Sequence, residues 1–207
     1  MNTSGFTPWW ETLWTQLKKL EPEDVCRRAL VQFDSKGFFS VDFMGREYQI
    51  YVDEERVKGP GRDRLASHPE FKRLLLTYLI SAQEVPLTGR RISEKDLQGG
   101  SPFFQGSHKL PTASLIERFG RTPTRFLEIG RALGGTRIAY GDAGIEFLAL
   151  PRIPIACILW IEDQEFPARV TFLFDSSIES HFSLNVILVL VRSVVKVLLS
   201  FKDSILQ

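Results

Sequence analysis

The chain has 207 residues, 43% of them hydrophobic and 25% charged, and 26 basic residues against 25 acidic ones leave a formal net charge of +1. That composition fits one globular domain over residues 1–207, long enough to bury roughly 70% of the surface its unfolded chain exposes. The charge balance gives no global electrostatic case for nucleic acid, which would need a basic stripe, and the short basic runs "GRDR" (61–64) and "GRR" (89–91) read as solvated loops.

Thr7 and Pro8 read as the N-cap and first position of a helix over 1–20, in which Trp10, Leu13, Trp14 and Leu17 form an apolar stripe. Trp9, Trp10 and Trp14 make this helix either a cap on the core or a docking surface for a protein partner. Glu21-Pro22 stops it and starts a second helix, faced by Val25, Cys26, Ala29, Leu30 and Phe33. Residues 38–52 alternate on both sides of Met44-Gly45-Arg46, which predicts a hairpin with Phe39, Val41, Phe43, Tyr48, Ile50 and Val52 on one side. Residues 57–67 read as a loop. Ser67 is the expected cap of the next helix, whose face is Phe71, Leu74, Leu75, Tyr78 and Leu79.

After the loop at Gly99–Pro111, Thr122-Pro123 starts a helix that Gly134-Gly135 ends. Its "LEIGRALGG" lacks the spacing of a dinucleotide-binding turn. The last third is strand-rich: "TRIAY", "IEFLALP", a nearly continuous apolar "PIACILWIE" that should be central, and "ARVTFLFD". Pro151 and Pro154 bracket a connection. In residues 183–201 Asn185, Arg192, Lys196 and Ser200 recur at spacings of 7, 4 and 4 along an otherwise apolar segment. One polar stripe on an apolar helix describes a core helix, not a membrane span. The expected class is α+β, with a mainly antiparallel sheet of about six strands and helices packed on it.

Cys26 and Cys157 stand far apart, which argues against a disulfide framework, a structural zinc site or a cysteine-ligated iron–sulfur cluster within this chain. A reducing cytoplasm is the expected compartment. The N-terminal residues lack a basic segment followed by an apolar one, so no signal peptide is expected. No nucleophile elbow, metalloprotease helix or P-loop is present. Glu162, Asp163 and Glu165, with Asp142 and Asp175 at other turns, are carboxylates of the kind that gather a hard metal ion, but they lack any ligand spacing and read as turn residues.

The stretch that concentrates unusual chemistry is "GGSPFFQGSHKLP". Gly99, Gly100 and Gly106 permit conformations closed to other residues, and Ser101-Pro102 should hold the chain extended. Phe103 and Phe104 should point different ways, one into the core and one onto a cleft, with Ser107, His108 and Lys109 as polar groups beside them. Gly100, Phe103, Phe104, His108 and Lys109 are therefore the candidate ligand-binding residues, and a small-molecule ligand is the expected partner. A tetrapyrrole with His108 as axial ligand is one identity that would suit them. The alternative is an enzyme with His108 as general acid or base beside Asp142 or Asp163.

Together "GGSPFFQGSHKLP", "LGGTRIAYGDAGIEFLALP" and "PIACILWIEDQEFPARVTFLFDSSI" resemble a prokaryotic domain-of-unknown-function family found mainly in anaerobic bacteria and archaea. The resemblance covers the chain from about Glu21 onward, making 21–207 the family-like core. It implies an anaerobe's cytoplasm and carries over no activity. Some members of that family carry a cysteine-rich iron–sulfur segment, which this chain does not have.

Overall fold

A computed structural model describes residues 9–61 and 63–201. The architecture is α+β, with two antiparallel sheets. The first is a meander of β1 (Gln32–Asp34), β2 (Phe38–Phe43), β3 (Arg46–Tyr51) and β4 (Arg56–Lys58). The second runs in the order β5-β9-β8-β7-β6, built from β5 (Arg91–Ile92), β6 (Thr136–Ile138), β7 (Ala143–Leu150), β8 (Ile153–Trp160) and β9 (Arg169–Asp175). Strand β8 occupies the middle, as its apolar run requires, with five consecutive buried residues from Ile155 to Leu159. Among the described residues, nine strands in two sheets replace the expected single sheet of about six. The additional strands, β1, β4 and β5, are two or three residues long, too short to show an alternating pattern.

The β2–β3 hairpin has its register fixed by a two-residue turn. Met44 and Gly45 both have positive φ, 51° and 70°, as the tight hairpin turn matched to strand twist demands. Phe39, Val41, Phe43, Tyr48 and Ile50 are buried on one face. The Met44 N–H also donates to the Ala149 carbonyl at 3.2 Å, joining this turn to β7 of the other sheet.

Eight helices lie among the described residues. α1 (Trp9–Leu17) buries Trp14 and Leu17 in the core; the side chains of Trp9 and Trp10, and Thr7-Pro8, lie outside the described residues. With Trp14 buried, a docking role for this helix has only Trp9 and Trp10 to rest on. α2 (Pro22–Ala29) ends earlier than its apolar pattern suggests. Leu30 adopts the left-handed conformation at φ 53° and turns the chain into β1, so Leu30 and Phe33 leave the helix face and stand exposed. α3 (Pro69–Ser81) begins after His68, not Ser67. The residue before a proline is held extended, and His68, at φ −77° and ψ 125°, is that residue. All five predicted face residues of α3 are buried.

α5 (Ala113–Phe119) and α6 (Pro123–Ala132) pack on β9 and β7 respectively. Pro154 lies inside β8, paired with Leu148 next to a bulge, so the β7–β8 connection is tighter than the two prolines suggest. A proline at the second position of a strand beside a bulge breaks little of the ladder. α8 (Leu184–Ser200) packs against α3 and α5, with eleven buried residues and its polar stripe on the open side: Asn185, Lys196 and Ser200 exposed, Arg192 half-buried. One cluster of buried side chains runs from Trp14 to Phe201. No helix of the described residues is long and apolar enough to cross a membrane.

Candidate functional site

The Gly99–Pro111 segment is folded, not extended. Gly99, at φ 72°, leads into a single-turn helix α4 (Gly100–Phe103), and a 3-10 turn follows at Gly106–His108. Pro102 is accommodated because it falls in the first turn, where its missing N–H removes no helical hydrogen bond. Gly100 is buried, and a Cβ there would meet the Glu94 carbonyl oxygen at 2.0 Å, so the turn requires glycine. Phe104 joins the core, while Phe103 is half-buried and meets it edge-on, with ring centres 4.9 Å apart. The His108 ring is exposed and lies parallel on Phe103 at 4.5 Å and 3°. Lys109 is exposed. The structure thus gathers Phe103 and His108 into a surface stack and places Gly100 and Phe104 beneath it.

These positions set the expected order of stabilities in urea denaturation. Phe104→Ala should cost about 3–4 kcal/mol, as for a buried aromatic ring. Phe103→Ala, half in water, should cost about 1–2 kcal/mol, and His108→Ala about 0.5 kcal/mol or less. Equal losses for both phenylalanine variants would contradict the placement of the rings.

The carboxylates weighed as partners of His108 are engaged locally. Asp142 Oδ2 accepts the Ile161 N–H at 2.8 Å. Asp163 Oδ1 accepts the N–H groups of Glu165 and Phe166, at 2.8 and 2.7 Å, and these hold its carboxyl below the usual range. No hydrogen bond joins either carboxylate to His108 among the described residues, and no group of three His, Cys, Asp or Glu side chains there is placed to hold a metal ion. Asp175 is nearly buried and anchors a neighbouring segment. Burial pushes the thiols of Cys26 and Cys157 up, so neither is an ionised nucleophile at neutral pH. His181 is buried in α7 (Ile178–His181), where Nδ1 accepts the Gln83 N–H at 3.2 Å; burial, then Arg152, push its pKa down.

The residues that converge on an open cleft lie elsewhere. A cavity of about 790 Å³ is lined by Arg46, Asp63, Arg64, His68, Lys196 and Ser200. Three segments supply them. Arg46 is the first residue of β3, placed by the Met44–Gly45 turn. Asp63, Arg64 and His68 lie on the connection from β4 to α3, and Lys196 and Ser200 stand one turn apart on α8.

The connection is held down by one buried hydroxyl. Tyr48 is fully buried, and its hydroxyl donates a short hydrogen bond to Asp63 Oδ2. Burial, reinforced by the Asp63 carboxylate, pushes that hydroxyl above the usual phenol range, so it remains a donor. Asp63 Oδ1 accepts the Leu65 N–H at 2.8 Å, and Arg46 Nη1 stands 3.9 Å from Oδ2. Among the described residues, the one carboxylate lining the cleft is therefore already taken by a hydroxyl, an amide and a guanidinium. What faces the cavity is net positive.

The loop and the cleft meet along α8. Arg192, one turn before Lys196, reaches Glu70 Oε1 at 3.3 Å and the Ser107 carbonyl at 3.2 Å. The Phe103–His108 stack thus belongs to a loop pinned to the same polar stripe that lines the cleft. The sequence marks that stripe, and "GRDR" is a loop as expected, with Arg64 exposed; Arg62 of that run lies outside the described residues.

Fold and site together define an α+β protein of two antiparallel sheets with a cationic cleft between a loop and the face of its C-terminal helix. The chain belongs to the family described as Domain of unknown function (DUF3786), whose model matches residues 21–197. That span holds the whole Gly99–Pro111 loop and every cleft residue named above except Ser200. No curated protein and no solved structure matches the chain.

Proposed function

We propose that this domain binds a small anionic molecule in the Arg46–Arg64–His68–Lys196 cleft, with the Gly99–Pro111 loop at its rim. One observation carries the reading: three cations and an imidazole from separate segments converge on one cavity where, among the described residues, the one lining carboxylate is engaged. Like charges gathered without a counter-ion oppose folding, so such convergence fits a ligand that supplies the missing charge. The cavity volume lies in the range of small-molecule sites. The cations are confined to a cleft on a chain of net charge +1, which favours a small ligand over nucleic acid. Two free cysteines on different elements support a reducing cytoplasm as its compartment. The Phe103–His108 stack lies on a loop that Arg192 holds one helical turn from Lys196.

Calorimetric titration of the protein with citrate, inorganic phosphate and AMP tests the proposal. At least one should bind, and an Arg64→Glu, Lys196→Glu double variant should bind it at least a hundredfold more weakly, since each charge-assisted contact is worth about 1.5–3 kcal/mol. Both side chains are exposed, so the variant should keep its fold. No binding by any of the three, or equal binding by the variant, overturns the reading.

A further inference from the structure

We infer that the anion this cleft selects is the dianionic phosphoryl group of a small phosphomonoester. This rests on the cleft reading proposed above and names its ligand class. The first argument is charge. Among the described lining residues, Arg46, Arg64 and Lys196 carry three positive charges and Asp63 one negative charge, which leaves two to be matched. A phosphomonoester near neutral pH carries between one and a half and two negative charges on three acceptor oxygens, whereas a monocarboxylate or a sulfate ester carries one.

The second argument is the donor geometry around His68. This residue both lines the cleft and stands at the N-cap of α3, a helix of 13 residues, where its own side chain makes no capping hydrogen bond. The first helical hydrogen bond runs from Lys72 N–H to the His68 carbonyl, and Pro69 has no N–H, so the Glu70 and Phe71 amides come before it. Glu70 is the acidic residue that would compete for this end from the first turn. Arg192 draws its carboxylate aside at 3.3 Å. Arg64 adds a forked guanidinium suited to two oxygens of one group, and Lys196 adds a mobile point charge.

The third argument is what else lines the space. Leu65 and Val197 supply apolar surface, and about 790 Å³ is far more than inorganic phosphate fills. An esterified carbon body fits that remainder; a bare ion does not. Tyr48 acts at one remove, by holding Asp63 and with it the position of Arg64.

The experiment compares three probes of the same aromatic body by calorimetry at pH 7.5: phenyl phosphate, phenyl sulfate and phthalate. Phenyl phosphate should bind at least tenfold more tightly than either of the others. Its phosphorus-31 resonance should shift on binding. Arg64→Gln and Lys196→Gln should each weaken phenyl phosphate at least tenfold, with melting temperatures within a few degrees of wild type. If phthalate or phenyl sulfate binds as tightly, with the same sensitivity to these variants, the phosphomonoester inference is overturned and the anion cleft stands. If none of the probes binds, or the variants leave binding unchanged, both are overturned. A phosphorylated peptide that binds tenfold more tightly than phenyl phosphate would reassign the site to a macromolecular partner and overturn the small-molecule inference.

Discussion

Val195→Asp should lower the stability by several kcal/mol, whereas Lys196→Gln, one residue on, should leave it within about 0.5 kcal/mol of wild type. Val195 is 3% exposed, on the face of α8 that packs into the core with Val191, Val194 and Leu198. An aspartate there has no cation to meet and no room for water. An unpaired buried charge costs several kcal/mol even after the group neutralises itself. Set against a typical total of about 5–15 kcal/mol, that loss is a large share of the stability. Lys196 has rotated 100° around the helix onto the exposed polar stripe. Far-ultraviolet circular dichroism with urea titration of both variants distinguishes the two positions. A Val195→Asp variant melting within a few degrees of wild type would show that this face of α8 is not buried. The contrast also protects the binding experiments, because it separates a cleft substitution that removes charge from one that removes the fold.

What was legible in the sequence was whatever repeats over several residues. The β2–β3 hairpin has five inward side chains and a turn with a glycine at one of its two positive-φ positions, so pattern and turn chemistry agree. The α8 stripe and the central position of β8 follow from periods of 3.6 residues and from a continuous apolar run. The division into two sheets was not legible, because β1, β4 and β5 have at most three residues each and owe their pairing to tertiary neighbours. α5 has seven residues and buries only Leu115 and Phe119, too small an apolar stripe to stand out. The Gly99–Pro111 loop was conspicuous because breakers and aromatics coincide there, yet Ser101-Pro102 is helical where an extended chain was expected. The cleft was hidden for a different reason. Arg46, Arg64 and Lys196 are spread over 150 positions, and nothing local marks a lone basic residue as part of a set. The bond that organises them, from Tyr48 to Asp63, joins a strand residue that reads as core to an acid that reads as loop.

Asp175 shows how far a local reading can mislead about a carboxylate, and it carries a sharp prediction. By sequence it is one of several acids at the turns of a strand-rich region. In the fold it ends β9 at 8% exposure and accepts four hydrogen bonds: from the N–H groups of Thr88, Gly89 and Ser177 at 3.0, 2.8 and 2.9 Å, and from the Thr88 hydroxyl at 3.0 Å. These tie the segment before β5 to the sheet. Burial alone would raise this carboxyl; the hydrogen bonds from Ser177 and Thr88 outweigh it and hold the pKa down at about 2. A carboxylate depressed in the folded state stabilises above its unfolded pKa and loses that contribution as pH falls through the folded one. The window here runs from near pH 4, the ordinary aspartate value, down to about 2. Its contribution at neutral pH is about 2 kcal/mol. Asp175→Asn keeps the shape but turns an amide NH₂ toward three backbone donors, so at least one of them loses its partner. The variant should be about 2–3 kcal/mol less stable than wild type at pH 7. Urea denaturation of both proteins from pH 2 to 7 measures the effect and its origin together. The gap should shrink steadily below pH 4 as wild-type Asp175 takes up its proton. A gap that stays constant down to pH 2 would mean that the charge of Asp175 plays no part in holding the Thr88–Gly89 segment, whatever the substitution costs.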